Sequence, residues 1–145
     1  MTKRGQGRLA ALLRAGVMAG VLVVPPALAD DEAVVTEGEV SWVSGGVGAD
    51  SRERLDALEA GFGFNLKLIF ALQSGDYLSE VAVRFVDAGG RTVLQANGVG
   101  PILLVRLPAG SYDCVASVDG REQRQKLKVV AGRLGRSVFR WPAAN

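Results

Sequence analysis

Residues 102–129 read ILLVRLPAGSYDCVASVDGREQRQKLKV, and this stretch decides the fold. Asp119-Gly120 stands at its centre between two alternating runs. Before it, Tyr112, Cys114, Ala116 and Val118 share one face. After it, Gln123, Gln125, Leu127 and Val129 oppose Arg124, Lys126 and Lys128. A period of two is the mark of a pleated strand with one buried face. Asp-Gly between two such runs is the strongest short signal for a two-residue hairpin turn. Upstream, Pro108-Ala109-Gly110 supplies a second turn. Ile102 to Leu107 is almost wholly apolar, which places that strand in the middle of a sheet, covered on both faces.

Working outward toward the N-terminus, the same period continues. Phe64, Leu66, Leu68, Phe70 and Leu72 alternate with Asn65, Lys67, Ile69 and Ala71, and Val81, Val83 and Phe85 alternate in the next run. Ser74-Gly75-Asp76, Gly89-Gly90 and Asn97-Gly98 read as turns between strands. Leu134 to Trp141 reads as the last strand, joined to its predecessor by a short connection around Gly132 that makes the two hairpin neighbours. At the other end, Glu37 to Val43 is expected as a first strand with Val40 and Trp42 on one face. Gly45, Gly46 and Gly48 then break the pattern. Asp50 and Ser51 are N-cap types, Glu53 completes a capping box with Asp50, and Gly61 is a stop signal. One helix of about ten residues fits between them. About seven strands at near ten-residue spacing and a single helix predict an all-β, Greek-key-like sandwich. A βαβ architecture needs several helices between strands, and only one is present.

The first 29 residues have another character. Lys3, Arg4, Arg8 and Arg14 precede an apolar run from Ala15 to Val24, followed by Pro25-Pro26 and Ala27-Leu28-Ala29. A charged start, an apolar centre and an A-x-A site in that order predict a signal peptide cut between Ala29 and Asp30. The run is shorter than the ~20 apolar residues of a spanning helix, and two prolines end it. No stable membrane insertion is therefore expected after processing. The predicted organisation is a signal peptide over 1–29 and a flexible leader over 30–36. A strand, Gly-rich loop and helix follow over 37–63, and the sandwich over 64–142. The whole chain carries 17 basic and 15 acidic residues, but four of the basic ones and none of the acidic ones lie in 1–29. The processed chain then holds 13 basic and 15 acidic residues, a net charge of −2. A basic footprint for nucleic acid has to belong to the folded domain, so no nucleic-acid partner is expected.

At Leu107-Pro108-Ala109-Gly110-Ser111-Tyr112 the chain resembles the carboxypeptidase regulatory-like domain, a transthyretin-like sandwich. The resemblance continues through the alternating strand, the Gly-containing turn and the next alternating strand. Val81, Val83, Asp87 and Gly90 are similar to the first part of that domain, and the likeness covers about residues 64–130. Pro108 and Gly110 set the turn, while the Tyr112 ring anchors the entering strand and its hydroxyl reaches a backbone group at the rim. Ser44-Gly45-Gly46-Val47-Gly48 and Phe139-Arg140-Trp141-Pro142 look like a group of small exported proteobacterial proteins with this module. In peptidases that carry the module, the zinc ligands belong to a separate domain, so the resemblance implies a fold and no activity.

The chain contains no histidine. Ser-His-Asp and Cys-His nucleophile systems and the His-containing zinc sites are excluded with it. Gly45-Gly46-Val47-Gly48 invites a phosphate-loop reading, but Asp50 would put a carboxylate where a phosphate belongs. Asp76, Asp87 and Asp119 fall in turns, where Asp bonds its own backbone, and nothing follows an EF-hand spacing. Cys114, the single cysteine, falls on an inward face and reads as an inert thiol. No enzymatic activity, cofactor or metal is expected. Charge is the one asymmetry. Arg124, Lys126, Lys128, Arg136 and Arg140 are expected to form a cationic stripe on one sheet face, suited to an anionic protein or envelope component. The alternative is a solvated edge whose lysines discourage aggregation. The expected function is a non-catalytic binding or interaction module, exported to the periplasm or the medium. A small cell-envelope enzyme or inhibitor, or a structural subunit pairing through an edge strand, is the alternative.

Overall fold

Asp119 and Gly120 both take positive φ, 51° and 76°, and Val118 faces Arg121 directly across them. That is the tight primed turn expected of Asp-Gly, and the register it sets runs unbroken to Gly110 opposite Val129. The computed structural model describes residues 27–28 and 33–143. The expected cleavage site, Ala29 and Asp30, lies outside them. In chain order the elements are β1 (Ala27–Leu28), β2 (Val35–Glu37), β3 (Val40–Gly45), α1 (Ala49–Phe62), β4 (Leu66–Leu72), β5 (Val81–Asp87), β6 (Thr92–Val99), β7 (Ile102–Arg106), β8 (Gly110–Val118), β9 (Arg121–Val129) and β10 (Gly135–Trp141).

The strands form two five-stranded sheets, β9-β8-β5-β6-β1 and β10-β4-β7-β3-β2. The described residues form an all-β sandwich with one helix, as the periodicity predicted. The core between the sheets takes Val81, Val83, Phe85, Cys114 and Ala116 from the first sheet. From the second come Leu68, Phe70, Leu103, Val105, Phe139 and Trp141. α1 covers the outer face of the second sheet, where Leu55 packs with Val43, Phe64, Ile102 and Leu104. This third layer explains the apolar run of β7. It is the central strand of its sheet, with Leu103 and Val105 turned to the main core and Ile102 and Leu104 to the helix.

Five expectations need correction. Val35 and Thr36, assigned to a loose leader, form a strand with Glu37, and a turn at Gly38-Glu39, with Gly38 at φ 63°, separates it from β3, with which it pairs. Strands at both sheet edges bring the count among the described residues to ten. The helix begins at Ala49 because Gly48, at φ 91°, takes the N-cap place expected of Asp50 or Ser51. Asp50 instead lies in the first turn, where its charge favours the positive helix end. The helix also runs through Gly61. Phe62 stacks on Phe64 at 4.9 Å, Arg106 donates to the Phe62 carbonyl at 3.2 Å, and Gly63 at φ 83° makes the stop.

Asn97-Gly98 is not a turn. Gly98 takes φ 71° inside β6, and the pairing with β5 slips between Val81 and Val83, so the glycine makes a bulge. The chain reverses later, at Gly100-Pro101. Gly100 lies so close to β3 that a Cβ there would stand 2.8 Å from the Gly45 carbonyl oxygen. Finally, β10 is not a hairpin neighbour of β9. It crosses to the second sheet and pairs in parallel with β4, Gly135 opposite Leu66 through Trp141 opposite Leu72. Burial drives the crossing: Phe139 and Trp141 are fully buried and pack with Phe70, ring centroids 5.5 and 6.4 Å away.

Candidate interaction face

β9 alternates as its sequence demands. Leu127 and Val129 are buried, while Arg124, Lys126 and Lys128 are exposed on the outer face of the first sheet. The register carries that face inward across the sheet. Arg124 lies opposite Val115, and Val115 opposite Arg84 of β5. Val115 is only 4% exposed although it points outward. The side chains directly beside it are Arg84 and Arg124, whose aliphatic stems are long enough to cover it while their guanidinium groups stay wet. Lys126 forms the next row with Asp113 and Val86. Arg84 thus joins the face, and only the pairing of β5 with β8 revealed it.

Arg136 and Arg140 leave the face. They are exposed on β10, opposite Lys67 and Ala71, and so belong to the outer side of the second sheet. The expected five-cation stripe is divided between two sheets because β10 crosses over. The closed side of the sandwich is sewn by side chains instead. Gln125 Nε2 donates to the Val138 carbonyl at 2.9 Å, Ser137 donates its hydroxyl to Gln125, and Trp141 Nε1 donates to the Arg121 carbonyl at 3.1 Å.

Two carboxylates share the first-sheet face with the four cations. Glu122 approaches Arg124 at 3.9 Å and Asp113 approaches Lys126 at 3.6 Å. Both pairs are exposed, and such pairs are worth at most about 1 kcal/mol, so an incoming anion can displace them. Lys128 and Arg84 make no ion pair among the described residues.

The corner at Leu107–Tyr112 is built as its sequence suggests. Tyr112 is buried, and its hydroxyl donates to the Pro108 carbonyl at 2.6 Å. Beside it lies a cleft of about 420 Å³ lined by Glu39, Asp87, Arg91 and Pro108. Its polar groups serve the chain itself. The Asp87 carboxylate accepts from the amides of Gly89 and Arg91, both at 2.9 Å. The Arg91 amide is the largest cause holding that carboxyl below the usual range. Desolvation, then the charges of Asp87 and Glu39, push the Tyr112 phenol up.

The Gly-rich loop is likewise occupied from within. Ser51 accepts the Gly46 amide at 2.8 Å, and Arg52 donates to the Gly46 carbonyl at 3.3 Å. Among the described residues no three His, Cys, Asp or Glu side chains converge as a metal site requires. No helix among them is long and apolar enough to cross a membrane. No protein-family model matches the chain, and no curated protein matches it.

Proposed function

We propose that the protein is an exported, non-catalytic binding module that holds an anionic protein or envelope component against the outer face of its first sheet. The observation that carries this reading is the row Arg84–Val115–Arg124 with Lys126 and Lys128 beside it. Four cations on one rigid pleated surface raise the local concentration of an anionic partner, in a salt-dependent way, even where removal of residues 1–29 leaves a net charge of −2. The signal-peptide pattern of residues 1–29 supports export. The Tyr112 corner supports the likeness to the carboxypeptidase regulatory-like module, which itself implies no activity.

Retention on immobilised heparin tests the reading. The native chain binds at low salt and elutes as salt rises. A Lys126→Glu, Lys128→Glu variant, changed at two exposed positions of that face, elutes earlier across the whole gradient. Exposed charges alter stability by only about 0.5 kcal/mol, so its Tm stays close to that of the native protein. A folded variant with unchanged retention would sink the proposal.

A further inference from the structure

β9 is an edge strand, and its partner-facing side is set by the hairpin. With Val118 and Arg121 closing a two-residue turn, hydrogen-bonded and non-hydrogen-bonded pairs alternate along the ladder. Arg121, Gln123, Gln125, Leu127 and Val129 direct their amides and carbonyls at β8. Glu122, Arg124, Lys126 and Lys128 direct theirs away from the sheet. Those four residues have no backbone hydrogen-bond partner across that edge among the described residues. Three of the four residues that offer the open ladder, Arg124, Lys126 and Lys128, are therefore cationic, and Glu122 stands at the turn end of the row.

We infer that β9 is a docking edge for an extended acidic segment of a partner protein, which adds to the first sheet as a sixth strand. The inference rests on the reading of that face as an anion-binding surface and adds the partner's conformation. A strand laid along β9 sets its side chains directly opposite those of Arg124, Lys126 and Lys128, with Cβ atoms ~5 Å apart across the ladder. Acidic residues at alternate positions therefore meet a cation each, spaced ~7 Å along the strand as the pleat requires. The main-chain bonds supply adhesion and the alternating charges supply selectivity. The same charges oppose self-pairing. A second copy meeting β9 in antiparallel about Lys126 sets Arg124 against Lys128 and Lys126 against itself, and like charges directly opposite repel.

The test compares three probes on the native protein. They are a seven-residue peptide with glutamate at alternate positions, a peptide of the same composition with its glutamates adjacent, and heparin, which carries no peptide ladder. The alternating peptide is expected to bind at least tenfold more tightly than its rearranged form. It is also expected to slow hydrogen exchange at the amides of Glu122, Arg124, Lys126 and Lys128. The triple variant Arg124→Glu, Lys126→Glu, Lys128→Glu is expected to lose that peptide and accept one with alternating lysines. Equal binding of both peptides and of heparin, without slowed exchange at those amides, overturns the edge inference and leaves the anion-binding face standing. Binding of none of the three overturns both. Slowed exchange on concentrating the protein alone makes a second copy the occupant and also overturns the inference.

Discussion

Cys114 is fully buried on the inward face of β8, and burial alone pushes its thiol up to about 12 from an ordinary 9.0. It carries almost no thiolate at neutral pH and has no histidine to activate it, so it is a packing residue. Thiol labelling is expected to be slow in the native protein and fast in denaturant; fast native labelling contradicts the assignment. The folded state favours the protonated form. Its contribution to stability is thus complete below pH 9.0 and is lost as pH rises from there toward 12. A Cys114→Ala variant is expected to show a shallower fall of Tm over that alkaline range. Asn65 has the opposite character, a buried polar group bonded through both ends of its amide. Its Nδ2 donates to the Leu107 carbonyl at 2.8 Å, and its Oδ1 accepts the Leu107 amide at 3.1 Å. The side chain thereby stands in for a length of strand where the ladder between β4 and β7 ends. Asn65→Ala strands both Leu107 groups, at about 1–3 kcal/mol each. Chemical denaturation measures the loss, and a variant as stable as the parent would show that water replaces the amide. The sequence marks Asn65 only as one outward member of an alternating run, because its partner lies 42 residues away.

At the scale of elements, local chemistry announced most strands and missed their partners. The alternation of β4, β5, β8 and β9 and the Asp119-Gly120 turn were legible because each depends on neighbours within a few residues. The end of α1 was not, since Arg106, which donates to the Phe62 carbonyl, comes from 44 residues further along the chain. Asn97-Gly98 carried the composition of a turn, but pairing on both sides of β6 kept it in a sheet as a bulge. The true reversal at Gly100 is testable. A methyl group there meets the Gly45 backbone rather than a movable side chain, so Gly100→Ala must push β3 and the β6–β7 crossing apart. We expect a loss of about 1–3 kcal/mol, the usual cost of forced overpacking. Gly90→Ala is the control: it has open space for a Cβ but φ 86°, so it reports backbone strain alone, about 1–2 kcal/mol. Gly100 has no positive φ, so a Gly100→Ala variant as stable as the parent would mean that the contact with Gly45 is slack.

At the scale of the whole molecule, β1 joins the leader question to the sheet. Ala27 and Leu28 pair in parallel with Ala96 and Asn97 at the edge of the first sheet, yet they belong to the segment expected to be cut away. Among the described residues, cleavage after Ala29 removes that two-residue strand and leaves β6 as the edge. The intact mass of the exported protein is expected to correspond to a chain beginning at Asp30, and a product that retains Met1 contradicts it. The sequence by itself determined the all-β class, the turn at Asp119-Gly120, the inward faces of most strands and the absence of histidine chemistry. All of these follow from residue type and a period of two. Only the tertiary structure decided that β10 leaves β9 for β4, which separates Arg136 and Arg140 from Arg124 and brings Arg84 beside it. The physical reason is that strand alternation says which way a side chain points, but not which strand lies alongside. That choice is made by long-range burial, here of Phe139 and Trp141 against Phe70, which no local pattern encodes.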